Sequence, residues 1–452
     1  SGNIIAPNGP NKQINVRRNV TIEGQTGYSN DKLDGNALTY IFHIWSGHKL
    51  TLNNLTLQAG KNTDNSVAGG GAIYCAGGKL TADNVIIKNC EAAKHGGAVY
   101  AKDSDEITLK NTRITGCKAE KRGGAVFCTS SRLTLDNTTI GGSAAADGNT
   151  AKKGGGIYFA GGSEECTIPS GCTIQHNKTT IESGRTSGGG GVYVQSGTLT
   201  LGGTISDNSA LVGGDALASG GGVFVGAKGT FIMEAGATIS GNKAKWGGGV
   251  YIYAEQDAGA GSFTMEGGTI SGCHAGGSGY SSAKGGGVCI KAEGNKKGSF
   301  TMQGGEISGC TAEANAANKA TGGGVYVEAR AVFKMSGGAV ITPSTPNTAT
   351  NSFNDVYLDH TGTTDWAFIT VTGALTSTPA AARLTMKYVH AVSGSGYYVN
   401  REVVKAGGSY PLTSADVSKF QVTQEGPTVL NPSPQNWKVV KDGNVGKLQP
   451  NP

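Results

Sequence analysis

One motif recurs nine times along the chain: two or more glycines followed by alternating β-branched and aromatic residues. It reads GGGAIYC (69–75), GGAVYA (96–101), GGAVFC (123–128), GGGIYF (154–159), GGGGVYV (188–194), GGGVFV (220–225), GGGVYIY (247–253), GGGVCI (285–290) and GGGVYV (322–327). Ile73 and Val99 are 26 residues apart, Val99 and Val126 are 27 apart, and later spacings stretch to 38. One unit therefore repeats while its loops vary in length.

Each unit holds two further strand signals. The first alternates apolar and polar residues, as in Leu50-Thr51-Leu52, Ile107-Thr108-Leu109, Leu199-Thr200-Leu201 and Phe263-Thr264-Met265. The second is short and ends in Ile, at Ile87, Ile114, Ile140, Ile174, Ile205, Ile239, Ile270 and Ile307. Three period-two strands leave no room for a long helix. A unit with one apolar face per strand cannot stand alone, but stacking at ~4.8 Å buries a continuous core. The expected fold is all-β: a right-handed parallel β-helix, a three-strand solenoid of about ten or more rungs and roughly 50 Å long. Residues 1–45 are expected to form an N-terminal cap and first rung. Residues 46–345 are the repeat region, and 346–452 are final rungs with a C-terminal β cap.

Alternation assigns the faces. In Val192-Tyr193-Val194 the valines point inward, so Tyr193, Phe224, Tyr251 and Tyr326 are expected to stack on the outside. Thr108, Thr134, Thr200, Thr264 and Thr301 form an outward threonine column by the same rule. Three residues after the Ile stands Asn or Cys: Cys90, Cys117, Asn177, Asn208, Asn242, Cys273 and Cys310. A buried ladder at a turn is expected there, with Cys filling the same volume as a small hydrophobe.

These residues resemble the polymorphic outer-membrane proteins, marked by repeated GGAI and a short motif ending in Asn. GGGAI (69–73), GGAV (96–99, 123–126), TISDN (204–208) and TISGN (238–242) carry the likeness over about residues 45–345. The aromatic that such a motif places before its Asn is absent, so the resemblance is to the wider class of β-helical surface proteins and passenger domains. It implies a secreted or cell-surface (outer membrane associated) scaffold for adhesion to a host or environmental protein or glycan. It brings no catalytic residues.

Composition agrees with an extracellular solenoid. Charged residues are 15% of the chain and Gly is 76 of 452, against a usual quarter and about 7%. The net charge of +6 is spread out, with no Lys/Arg run of the kind that binds nucleic acid. No apolar stretch approaches a membrane span. The chain opens at Ser1 rather than Met, as is expected of a mature fragment or of an expressed piece of a longer protein.

Catalytic constellations are sparse. Pectin hydrolases of this fold carry Asn-Thr-Asp, Asp-Asp, Gly-His-Gly and Arg-x-Lys; here only Asn62-Thr63-Asp64 is present. Asp103, Asp105 and Glu106 form the densest acidic cluster, which reads as a polar turn before a strand rather than a calcium site. His43 and His48 flank Trp45 but face opposite sides of a strand. No cofactor or metal site is expected. Among nine cysteines, only Cys166 and Cys172, flanking a Pro-Ser-Gly turn, suit a disulfide.

Two features suit binding. The loops Lys178–Ser187, Ser209–Ser219, His274–Lys284 and Thr311–Thr321 should leave one edge of the rod. The outward aromatics Tyr193, Phe224, Tyr251 and Tyr326, with Trp246 nearby, offer ring faces to a sugar or protein, or else stack on themselves to stabilise the rod. The leading expectation is a binding scaffold, leaning away from enzymatic activity. The alternative is a polysaccharide lyase or glycoside hydrolase acting on acidic polysaccharide.

Overall fold

A computed structural model of the chain describes residues 4–5, 13–25, 31–63, 68–104, 106–180, 187–210, 218–277, 279–315, 320–342, 356–361, 365–378, 380–386, 400–422 and 436–451. It forms a right-handed parallel β-solenoid of about 11 turns. A representative rung runs Val99–Lys102, Glu106–Lys110, Arg113–Thr115 and Lys118–Ala119. The first two of these strands share one long sheet with their counterparts, and the third belongs to a separate 12-stranded sheet. The fourth is a two-residue strand that three-strand reasoning omits. Its lone buried alanine leaves too short a pattern to register as a strand.

Register is kept from rung to rung. Val99 pairs with Val126, Tyr100 with Phe127 and Ala101 with Cys128. Because side chains alternate across a strand, this register stacks like on like in every column. The inward columns make one dry core in which Ile73, Val99, Val126, Ile157, Val192, Val223, Val250, Val288 and Val325 are fully buried. Phe231, Phe263, Phe300 and Phe333 stack inside it with centroids 4.6, 4.7 and 5.1 Å apart. Each such side chain contributes about 1.5–3 kcal/mol on burial.

The paired glycines have distinct tasks. Gly96 turns the chain at φ +64°, and a Cβ there would lie 2.2 Å from the Val99 carbonyl oxygen. A Cβ on Gly97 would lie 2.1 Å from the Gly124 carbonyl oxygen of the next rung. One glycine makes the corner and the other lets the rungs close.

The Asn/Cys ladder is present. Asn177 Nδ2 donates to Asn208 Oδ1 (3.0 Å) and to the Ile140 carbonyl (2.9 Å). Asn208 Nδ2 donates to Asn242 Oδ1 (3.0 Å) and to the Ile174 carbonyl (2.9 Å). Asn149 joins the ladder, donating to Asn177 Oδ1 at 2.9 Å. It escapes the three-residue spacing because an insertion separates it from Ile140. A second, outer asparagine column turns the chain between the second and third strands. Asn54, Asn84, Asn111 and Asn137 all have positive φ there, and Asn137 Nδ2 donates to Asn111 Oδ1 at 2.8 Å.

Parallel pairing continues beyond the glycine motif. Val356–Leu358 extends the Val325–Val327 column, and Ile369–Leu375 extends Val332–Gly337. Ala382–Met386 and Phe420–Val422 follow. The stack ends where Glu402–Ala406 meets Val445–Asn451 antiparallel, the latter in a hairpin with Asn436–Asp442 that brings Trp437 and Leu448 onto the core. Residues 387–399 and 423–435 of this C-terminal region lie outside the described residues. Among the described residues, no helix is long and apolar enough to cross a membrane.

Cys166 and Cys172 are not bridged; all nine cysteines are buried free thiols. Cys166 points into the core beside Leu133 and Leu199, whereas Cys172 Sγ accepts the Thr138 N–H at 3.4 Å in the turn. Both side chains are buried in the one main core cluster, with no bond between them.

Candidate functional site

The outward aromatics do stack, but they are not exposed. Tyr193 is 5% exposed, and Phe224, Tyr251 and Tyr326 are 1% each. They belong to a second apolar layer outside the main core, with Tyr100, Phe127, Tyr158, Cys289 and Tyr357. Tyr158–Tyr193 and Tyr193–Phe224 centroids are 5.1 and 4.3 Å apart. The expectation of an open ring platform at Tyr193, Phe224, Tyr251 and Tyr326 is therefore corrected: outward from the core is not outward to solvent.

The cover explains why. The residue just before each glycine corner lines up along the rod: Gly69, His95, Arg122, Lys153, Gly188, Ser219, Trp246, Lys284 and Thr321. This row lies over the rings. His95 stacks on Phe127 (4.7 Å), Arg122 lies over Tyr158 (5.2 Å), Lys153 over Tyr193 (5.8 Å) and Lys284 over Tyr326 (4.5 Å). Where the cover is Gly188, the ring of Phe224 packs so close that a Cβ would lie 2.5 Å from it. Trp246 is itself part of the cover, half-buried, with Lys245, Lys284 and Lys291 Nζ 5.7–5.8 Å from its ring.

Charge gathers at one end of the row. Lys94-His95, Lys121-Arg122 and Lys152-Lys153 precede three successive corners. Lys121 and Arg122 are exposed, and the other four are half-buried. The His95 imidazole is held down to about 4, chiefly by burial and then by the charges of Arg122, Lys121 and Lys94. Sequence reading missed this cluster because it sought runs along the chain. The signal was there in the two residues before each GG, read down the repeat instead.

The loops expected at one edge leave from this same corner. Their bases are short parallel ladders, Ser187–Gly188 with Ala218–Ser219 and Ala283–Lys284 with Ala320–Thr321, packed by small alanine clusters. Residues 181–186, 211–217, 278 and 316–319 of these loops lie outside the described residues.

The other polar clusters are closed or divided. Lys284 Nζ donates to Tyr326 Oη at 2.8 Å, Tyr326 donates to Asp359, and Lys291 pairs with Glu328. Burial and Asp359 push the Tyr326 phenol well up, so this is a stitch between rungs rather than an available base. Asp103 pairs with Lys102 at 3.7 Å, Glu106 stacks between Lys79 and Arg132, and Asp105 lies outside the described residues. Asn62 and Thr63 line a cleft of about 220 Å³ with the Lys61–Glu91 pair, but Asn62 Nδ2 is committed to the Gly69 carbonyl, and Asp64 lies outside the described residues. Among the described residues, no group of three or more His, Cys, Asp or Glu is placed to hold a metal ion. His43 stacks on Trp45 at 4.4 Å and begins the ring column through Tyr74.

Comparison with known proteins agrees with the architecture. The family model described as right handed beta helix region matches residues 13–225. A search of curated proteins and a search of solved structures each find no match to the chain. Stacked rungs, in-register columns and that family match together make the chain a parallel β-helix protein.

Proposed function

We propose that this protein is a secreted or cell-surface binding scaffold, and that the corner row is its contact surface. The observation that supports this reading is the continuous row from His95 through Arg122, Lys153, Ser219, Trp246 and Lys284 along the edge where the long loops leave. A repeat protein displays its ligand-facing residues in such rows, and loops on a rigid scaffold carry recognition. The sealed aromatic layer beneath fixes the row's spacing, as a pre-organised surface requires.

The test is a screen of intact protein against host glycans, matrix proteins and polygalacturonate, reading retention and product formation together. The scaffold reading expects retention without turnover, lost when Arg122 and Lys153 are changed. Release of unsaturated or reducing-end products would replace it with the lyase or hydrolase reading of the same fold.

A further inference from the structure

The outward face of the long sheet carries hydroxyls over successive rungs. Thr264 pairs with Thr301, Thr301 with Lys334, Lys334 with Thr370 and Thr370 with Lys405. Two lysines therefore stand in a threonine column. Lys405 works within the fold: its Nζ lies 2.9 Å from Glu402 and 4.3 Å from the centroid of the Phe368 ring. Lys334 lines a cleft.

The cleft forms because the chain folds back over the sheet after Glu402–Ala406. Gly407 donates its N–H to the Val371 carbonyl at 2.8 Å, and Tyr410 closes the turn on the Gly407 carbonyl at 3.2 Å. A Cβ on Gly407 would lie 2.5 Å from Thr370 Cγ2 and 2.8 Å from Thr372 Cγ2, so only glycine lets the turn press this close. Tyr410 is anchored by its hydroxyl, which donates to Asp416 Oδ2 at 2.8 Å. Asp416 is itself buried and accepts the N–H groups of Thr413 and Leu375, each at 3.0 Å. Lys334, Thr372, Ser409, Tyr410 and Pro411, with the glycines of the turn, line a space of about 540 Å³. Sites for small molecules span roughly 300–1,000 Å³.

The lining offers one ammonium, two hydroxyls and the flat apolar faces of a tyrosine and a proline. A tyrosine ring suits the C–H face of a sugar, hydroxyls suit its hydroxyls, and the ammonium suits one carboxylate. Backbone phosphate sites use a nest of N–H groups, whereas the Gly407 and Tyr410 N–H groups are committed to carbonyls. Column stacking does not call for a lysine at 334, because threonine fills the position in the rungs on either side.

We propose that this cleft binds a single sugar acid, free or at the end of a glycan chain, with Lys334 on the carboxylate and Tyr410 against the sugar ring. The site shares no residue with the glycine corner and does not depend on what the corner row binds.

Saturation-transfer NMR on the full chain tests this with glucuronate, a galacturonate trimer, glucose and acetate. At least one of the two acids should bind, with glucose and acetate each about tenfold weaker or more. A trimer that binds as well as glucuronate or better assigns a chain end, and glucuronate binding without the trimer assigns the free sugar acid. Lys334→Thr places the residue of the neighbouring rungs in the column, so its melting temperature should match that of the parent. It should weaken binding of the acid about tenfold or more. Thr372→Val, at an exposed position, should weaken it about threefold, and Lys296→Gln, exposed on a hairpin elsewhere, should leave it unchanged. Glucose or acetate matching the acids, no binding of either acid, or unchanged binding by folded Lys334→Thr overturns the proposal. None of these outcomes bears on retention through Arg122 and Lys153, so the two readings fail separately.

Discussion

The guanidinium carbon of Arg122 lies 5.2 Å from the centroid of the Tyr158 ring, which is 3% exposed. One residue meets solvent and the other is sealed, and the two should respond differently to removal. Arg122→Ala should cost no more than about 1 kcal/mol, the scale of an exposed cation–π contact. Tyr158→Ala removes a ring from a stacked buried layer and should cost about 3–5 kcal/mol. Urea unfolding of both variants checks this, and equal costs would deny that the ring layer is structural.

The inner ladder makes a prediction about substitution type. Asn208 donates to the Ile174 carbonyl and Asn242 Oδ1, and accepts from Asn177. Asn208→Leu strands these buried partners and should cost about 2–4 kcal/mol. Asn208→Cys should cost less, because Cys117 and Cys273 already occupy the same column. Thermal melts of the two variants rank them.

Two glycines with similar backbone separate strain from crowding. Gly47 has φ +76° with nothing within 4 Å of an added Cβ, whereas Gly96 has φ +64° and a carbonyl oxygen at 2.2 Å. Gly47→Ala should cost about 1–2 kcal/mol through strain alone. Gly96→Ala adds an overpacked contact to that and should cost about 3 kcal/mol or more. Denaturant midpoints at constant m-value read the difference.

The fold was legible because every rung repeats the same three apolar patterns, and nine glycine corners fix where each begins. Alternation correctly sent Val192 inward and Tyr193 outward. It could not say what lies beyond Tyr193, because burial of an outward ring depends on how the preceding corner folds back over it. Lys153, 40 residues earlier in the chain, supplies that cover. Cys166 and Cys172, six positions apart, are both buried in the main core and are not bonded to each other, a pairing that spacing alone does not decide. The basic corner was legible in principle, since KH, KR and KK each precede a GG. Charge in a solenoid has to be summed down columns, where neighbours are a rung apart, rather than along the chain.

His95 gives the corner a pH signature. Folding lowers its pKa from 6.5 to about 4. Below about 6.5 the unfolded chain binds a proton that the folded chain refuses, so stability is full above that value and falls as pH drops toward 4. Below about 4 both states are protonated and this group costs nothing further. His95→Gln should flatten that part of the stability profile, measured by urea unfolding at a series of pH values.

Cations stand at the surface above sealed rings, and footprinting reads both at once. In free protein, lysine acetylation should modify Lys121 and Lys152 readily, while hydroxyl-radical oxidation should mark Trp45, which is 41% exposed, and spare Tyr193 and Tyr251. Adding a ligand that the intact protein retains in the screen should protect the two lysines and leave the tyrosines as they were. Oxidation of Tyr193 and Tyr251 at the rate of Trp45, with protection of those rings by the ligand, would contradict the account.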